Sequence, residues 1–180
     1  MAEERGSIDE SWLVLRAQAG DREAMNQLLS RIAPPLTRFI GRIAGDSRED
    51  VCQDVLFTIA RKLPWLDEPA AFRPWAYRIA SRAALKFAAR ERRVWPFEPA
   101  GDLVESAAAV DPPPAGIAGQ LPDLLSRVSP RSRVVLALHY LEELRLDEVA
   151  AVLDIPLGTV KSRLAFGLRQ LRQDLRKEPL

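Results

Sequence analysis

Apolar residues recur at intervals of three and four along most of the chain, the spacing of one face of an α-helix, and no segment reads clearly as a strand. A first helix is expected over about 8–18, stopped by Gly20. Asp21 can cap a second helix running to about residue 43. Pro34 and Pro35 are expected to kink or divide it, because proline lacks the backbone donor and clashes with the preceding turn. Gly45 ends that pattern. A third helix starting at Ser47 aligns Val51, Val55, Ile59 and Leu63 on one face. Residues 64–69, bounded by prolines, read as a loop holding Trp65 and Leu66. A fourth helix over about 71–92 aligns Phe72, Trp75, Ile79 and Ala83.

The pattern then breaks. Residues 96–119 carry Pro96, Pro99 and the run Pro112, Pro113, Pro114, with many alanines and few large apolar residues. Such a segment is poorly able to build a core and reads as a linker. Four more helices are expected over about 117–126, 130–142, 146–153 and 157–176. Ser129 before Pro130 signals a helix start, a capping hydroxyl followed by proline at the first helical position. The reading is an all-α chain: a helical domain over 8–95, a flexible linker over 96–117, and a second helical domain over 118–177.

Charge sharpens this division. The net charge is only +1, but its distribution is uneven. Residues 71–95 hold seven basic side chains against the one acid Glu91, and residues 158–177 hold six against Asp174. Residues 96–124 hold five acids and no base. Two basic segments flanking an acidic one suggest two contacts with a polyanion. Cys52 stands alone and cannot form an intrachain disulfide, which suits a reducing compartment. The N-terminus, with Glu3 and Glu4, has no apolar signal core, and no apolar run reaches the ~20 residues of a membrane helix. Neither secretion nor membrane insertion is expected, nor, with so short a stretch after the last helix, an appended C-terminal regulatory domain. With one histidine, no metal-spaced ligand set and no phosphate-binding glycine loop, the sequence points to neither an enzyme nor a cofactor or metal site. His139, on an apolar helix, reads as structural.

The C-terminal helices carry the sharpest pattern. Leu146, Val149, Ala150 and Leu153 form a short apolar stripe, residues 154–157 make a tight turn, and Val160, Leu164, Leu168, Leu171 and Leu175 line a longer helix. This is the layout of a helix-turn-helix, whose second helix enters the DNA major groove. Ser162, Phe166, Arg169, Gln173 and Arg176 fall opposite the leucine stripe, flanked by Lys161, Ala165 and Arg172. Such hydroxyl, amide and guanidinium groups can bond base edges and phosphates. The helix start at Gly158 and Thr159 offers backbone donors to a phosphate.

The stretch 147–164, and its GTVKSRL portion above all, closely resembles domain 4 of bacterial sigma factors. Upstream, residues 129–140 are similar to that family's LPxRxRxVLxLxY. The resemblance implies −35 promoter contacts through Thr159, Lys161, Ser162, Arg163, Phe166, Arg169 and Arg172. Asp154 stands where relatives often have glycine, and aspartate tolerates a left-handed backbone better than most residues. Phe166 replaces an arginine common in relatives, so it either meets a thymine methyl or packs on its own domain. Gly167 costs about 1 kcal/mol against alanine in a helix.

Two N-terminal stretches extend the resemblance to sigma domain 2. Residues 46–57 are similar to DAEDlvQevF, the helix that in the family docks on the β′ clamp helices of RNA polymerase. The resemblance implies that Asp50, Gln53 and Asp54 make this contact. Residues 72–85 are similar to FraWLyrIArNlalD, which melts the −10 element and captures an unpaired base. Arg73, Tyr77, Arg78, Ser81 and Arg82 are the implied −10 contacts, and the preceding loop, 64–71, is the implied base pocket. Phe72 and Trp75 are assigned to the core. Arg82 and Lys86 replace asparagine and aspartate of many relatives and raise the positive charge.

With both stretches in family order, the chain resembles the small ECF (extracytoplasmic-function) sigma factors. The resemblance implies an alternative sigma factor of the cytoplasm. Its partners would be core RNA polymerase, through the β′ clamp helices and the β flap, promoter DNA, and an anti-sigma factor covering the polymerase-binding faces. The alternative is a stand-alone helix-turn-helix regulator.

Overall fold

A computed structural model describes residues 2–45, 48–90 and 121–177. All regular elements among them are helical. The linker expected over 96–117, the start of the third helix at Ser47, and Arg92 and Arg93 lie outside the described residues. The chain divides into two compact units, Met1–Ala84 and Leu85–Leu180.

The first unit is built on three helices and the start of a fourth: α1 (Ala2–Gln18), α2 (Arg22–Ala44), α3 (Arg48–Lys62) and α4 (Phe72–Ala88). Two 3-10 turns, Leu63–Trp65 and Pro69–Ala71, join α3 to α4. Gly20 and Gly45 take positive φ after α1 and α2, which glycine does without steric cost. Asp21 caps α2, its carboxylate accepting from the backbone N–H groups of Glu23 (2.9 Å) and Ala24 (3.1 Å). Those donors and Arg16, whose Nε donates to Asp21 at 2.8 Å, hold its carboxyl below the ordinary carboxylate range.

α2 is the axis of this unit. Leu28, Ile32, Leu36, Phe39 and Ile40 are completely buried along it. Of the two outcomes expected of Pro34 and Pro35, division does not occur: the helix runs as one element from Arg22 to Ala44. Pro34 is exposed, beside the exposed Ser30 and Arg31, so the missing donors fall toward water while Ile32 and Leu36 anchor the opposite side. α3 buries Val51, Val55 and Ile59, with Leu63 in the following turn, as their spacing indicated.

α4 departs from its sequence reading. The expected stripe was Phe72, Trp75, Ile79 and Ala83, but the buried residues are Phe72, Ala76, Tyr77, Ala80, Ser81, Ala84 and Ala88. Trp75, Ile79 and Ala83 are half-buried. The buried face is made mostly of small alanines, and Tyr77 packs edge-on to Phe39 of α2, with ring centroids 5.2 Å apart.

The second unit contains α5 (Leu121–Leu124), a 3-10 turn (Leu125–Arg127), α6 (Pro130–Leu136), a π-helical turn (Ala137–Leu141), α7 (Leu146–Leu153) and α8 (Leu157–Lys177). Pro130 opens α6 as expected, but Ser129 does not cap it. Its hydroxyl is turned inward and has no partner among the described residues. Its backbone N–H donates instead to Oε1 of Gln170, at 3.4 Å. Arg133 is buried, and its guanidinium donates to the carbonyls of Val128 (2.8 and 3.1 Å) and Ser126 (3.0 Å). Those bonds close the turn before α6 and compensate for burying the charge. His139 is structural: its Nδ1 lies 2.8 Å from the carbonyl of Leu144, which only accepts, so Nδ1 carries the proton.

α7, the turn at residues 154–156 and α8 form the helix-turn-helix. Asp154 takes the left-handed conformation expected of it, with φ 57° and ψ 48°. α7 buries Val149 and Val152, whereas Leu146, Ala150 and Leu153 of the expected stripe are half-buried. α8 buries Val160, Leu164, Leu168 and Leu171, with Leu175 half-buried. Gly167 faces α6. A Cβ there would lie 2.8 Å from Cδ1 of Leu136 and 3.2 Å from Cβ of Ser132. The helix accepts the propensity cost of glycine because the packing leaves no room for a methyl group.

Candidate nucleic-acid interface

In the second unit the buried leucines of α8 set the direction of everything else on that helix. Arg169 and Gln173 stand exposed opposite the core. Thr159, Lys161, Ser162, Arg163, Phe166 and Arg172 are half-buried along the same helix. The Ser162 hydroxyl donates to the carbonyl of Thr159 at 3.0 Å, so its oxygen lone pairs are what it offers outward. Phe166 is not the exposed side chain its sequence position suggested: most of its surface is covered, leaving only part for apolar contact. Arg172 lies close enough to Tyr140 for its charge to oppose the upward push that burial gives the phenol pKa. The side chain of Arg176 lies outside the description.

The N-terminus of α7 is closed by local charge. The backbone N–H of Arg145 donates to Glu148 at 2.7 Å, the acid of a capping arrangement. The guanidinium of Arg145 pairs with Asp147, which holds that carboxyl below its ordinary range and raises the arginine.

In the first unit, Asp50, Gln53 and Asp54 are all exposed on α3, opposite the buried Val51, Val55 and Ile59. Phe57 continues that exposed face and was missed in the sequence reading. It is 68% exposed, with the Arg61 guanidinium 5.9 Å from its ring centroid. Its signal was its spacing, three and four residues beyond Asp54 and Gln53. Cys52 is buried, 3.0 Å from the hydroxyl of Thr37. That hydroxyl donates to the carbonyl of Ala33, so the thiol is the donor in the pair.

The −10 residues are divided by the structure. Arg82 and Arg73 are exposed and Arg78 is half-buried; Arg78 and Arg82 fall on the outer face of α4, whereas Arg73, in its first turn, lies on the side of α1. Arg73 is oriented by Glu10 of α1, to which its Nε donates at 3.0 and 3.2 Å. Tyr77 and Ser81 do not stand there: they are 4% and 1% exposed, on the alanine side of the helix. The hydroxyl of Ser81 has no partner among the described residues. Both were misplaced because the buried face of α4 is rotated from the Phe72, Trp75, Ile79 line onto Ala76, Ala80 and Ala84, which large-residue periodicity does not mark.

The loop before α4 forms a pocket of about 420 Å³ lined by Arg61, Lys62, Trp65 and Trp75. Trp65 is 75% exposed, the most exposed large apolar side chain of the described residues. Trp75, assigned to the core from sequence, is instead a half-buried wall of this pocket. Two indoles with two cations supply stacking faces and phosphate partners together. Arg61 and Lys62 escaped notice because they belong to the end of α3, not to the loop. No cluster of metal-ligating side chains occurs among the described residues, and none of their helices is long and apolar enough to cross a membrane.

Comparison with known proteins agrees with this division. The family model described as Sigma-70 region 2 matches residues 28–94, and that described as Sigma-70, region 4 matches residues 118–171. The chain is 29% identical over 177 residues to the ECF RNA polymerase sigma-E factor of Haemophilus influenzae, spanning 88% of this chain and 90% of that one. It is 29% identical over 168 residues to the ECF RNA polymerase sigma-E factor of Escherichia coli K12, spanning 84% and 86%. Among solved structures, CnrH in complex with the cytosolic domain of CnrY shares the fold. The TM-score is 0.69 at 22% identity, over 94% of this chain and 99% of that one.

Proposed function

This chain is an ECF sigma factor, an alternative sigma factor that directs transcription initiation, and from that premise we propose how its residues divide the work. A stand-alone helix-turn-helix regulator is set aside, since it would not carry a region 2 unit ahead of its reading head.

The exposed face of α3 docks on core RNA polymerase. The observation that carries this reading is the joint exposure of Asp50, Gln53 and Asp54 on one side of a helix whose other side is wholly committed to the core. A carboxylate- and amide-bearing face suits the basic β′ clamp helices, and Phe57 adds apolar area at its end. In the second unit, α8 enters the −35 major groove. Arg169 and the flanking Lys161, Arg163 and Arg172 engage bases and phosphates, the Thr159 hydroxyl donates to a phosphate, the Ser162 oxygen accepts from a base-edge amine, and the exposed part of Phe166 meets a thymine methyl. Contact of this unit with the β flap follows from the family.

At the −10 element, Arg73, Arg78 and Arg82 hold the DNA backbone while the pocket of Trp65, Trp75, Arg61 and Lys62 takes an unpaired base. Tyr77 and Ser81 support this face from beneath and touch no DNA. The domain limits are 8–95 and 118–177, with 96–117 as the tether. The chain adds no catalytic chemistry of its own and works in the cytoplasm. An anti-sigma factor holds it inactive by covering the polymerase-binding faces, a reading supported by CnrH having been solved with the cytosolic domain of CnrY.

The test is run-off transcription from a promoter library with purified core polymerase lacking its own specificity subunit. Transcription from a defined set of promoters, lost when Asp54 is changed, is the expected result. No affinity of the pure protein for core enzyme would overturn the assignment.

A further inference from the structure

We infer that Gln18 of α1 is a positioning residue for base capture: its side-chain amide holds the turn that carries Trp65. This rests on the reading of the Trp65–Trp75 pocket as the site for the unpaired base. Trp65 sits between two tied points. The Gln18 Nε2 amide donates to the carbonyl of Leu63 at 3.0 Å and to that of Leu66 at 2.8 Å, from 45 and 48 residues away. The N–H of Leu66 also donates to the carbonyl of Leu63, at 3.0 Å. These carbonyls lie where α3 ends, and the last carbonyls of a helix need a donor from outside it. Gln18 supplies both donors from one amide, and neither proton is left over.

The consequence is mechanical. Leu63 is completely buried ahead of Trp65, and Leu66 is pinned after it, so the backbone of Trp65 is fixed while its ring stays 75% exposed. An exposed indole on an untethered loop would lose ordering entropy whenever a base stacked on it, and a tethered one has already lost most of it. α1 anchors the other border of the site too. Glu10, mostly buried, receives Arg73 at the start of α4, and α1 packs against both 3-10 turns. A helix not itself at the pocket thus sets the geometry of its rim from both sides.

The test uses holoenzyme reconstituted from core polymerase and the full chain, on a promoter with 2-aminopurine in the −10 element, whose fluorescence reports unstacking. Trp65→Ala should lower the opened fraction about tenfold, as loss of one stacking partner does. Gln18→Ala should lower it by roughly threefold to tenfold, leave binding to the closed duplex unchanged, and add nothing in the Trp65→Ala background. Gln18→Lys, whose ammonium can donate to both carbonyls, should restore most of the opening. If Trp65→Ala opens normally, the base-capture reading falls and takes this inference with it. If Trp65→Ala is impaired but Gln18→Ala is not, only the positioning role falls. Full multiplication of the two effects, or an equal loss of closed-duplex binding, would show that Gln18 acts through general stability and would also overturn it.

Discussion

α8 and α4 carry the two basic faces of this sigma factor, and they are built in opposite ways. α8 buries large side chains, Val160, Leu164, Leu168 and Leu171, so its polar face is where large-residue periodicity says it is. α4 buries Ala76, Ala80 and Ala84 and leaves Trp75 and Ile79 half in solvent. A face of small residues is chosen by how closely two backbones approach, which depends on the partner helix rather than on the helix itself. The same contrast runs through function. The second unit presents a helix surface suited to reading duplex DNA, and the first presents an indole-walled pocket suited to a base taken out of the duplex.

The largest effect that tests this contrast is in the α8 core. Leu164→Ala should destabilise the second unit by about 2–5 kcal/mol, and Ile79→Ala, although it also deletes a large apolar side chain, should cost the first unit much less. Denaturant titrations of the two variants measure this, and equal losses would restore the original stripe for α4. Next come the close approaches. Gly167→Ala and Ala80→Leu should each cost about 1–3 kcal/mol by overpacking, although both replace a poorer helix former or a smaller apolar residue with one that suits a helix. A Gly167→Ala variant as stable as the parent would mean that α6 and α8 relax apart freely.

Surface changes are expected to act on binding and not on stability. Arg169→Ala should weaken promoter binding by holoenzyme about tenfold with an unchanged melting temperature, read by fluorescence anisotropy. Asp54→Ala should weaken core association about threefold to tenfold while leaving the fold intact, read by competition for core enzyme. The smallest effect concerns pH. Asp21 in the first unit and Asp147 in the second both have carboxyl pKa values lowered in the folded state, Asp21 first by the Ala24 N–H and Asp147 first by Arg145. The stabilisation from each is complete above its ordinary value of 3.8 and is lost as the pH falls through the lower folded value. Asp21→Asn, which keeps a capping oxygen but cannot titrate, should flatten the acid limb of the stability curve slightly, and an unchanged limb would remove Asp21 as a contributor.

Much of this molecule follows from local sequence. The helix ends at Gly20 and Gly45, the Asp21 cap, the left-handed Asp154 and the helix-turn-helix all rest on interactions within a few residues, which is why periodicity and capping chemistry recover them. The outward set of Asp50, Gln53 and Asp54 follows equally from the valine and isoleucine stripe behind it. Only the tertiary structure decided the rest. It kept α2 whole through Pro34 and Pro35, buried Tyr77 and Ser81, turned the Ser129 hydroxyl inward, and moved Trp75 from core to pocket wall. It also tied Trp65 to Gln18 across 45 residues of chain. Each of these depends on which distant backbone comes near, and the period of a single helix carries no record of its partner's distance.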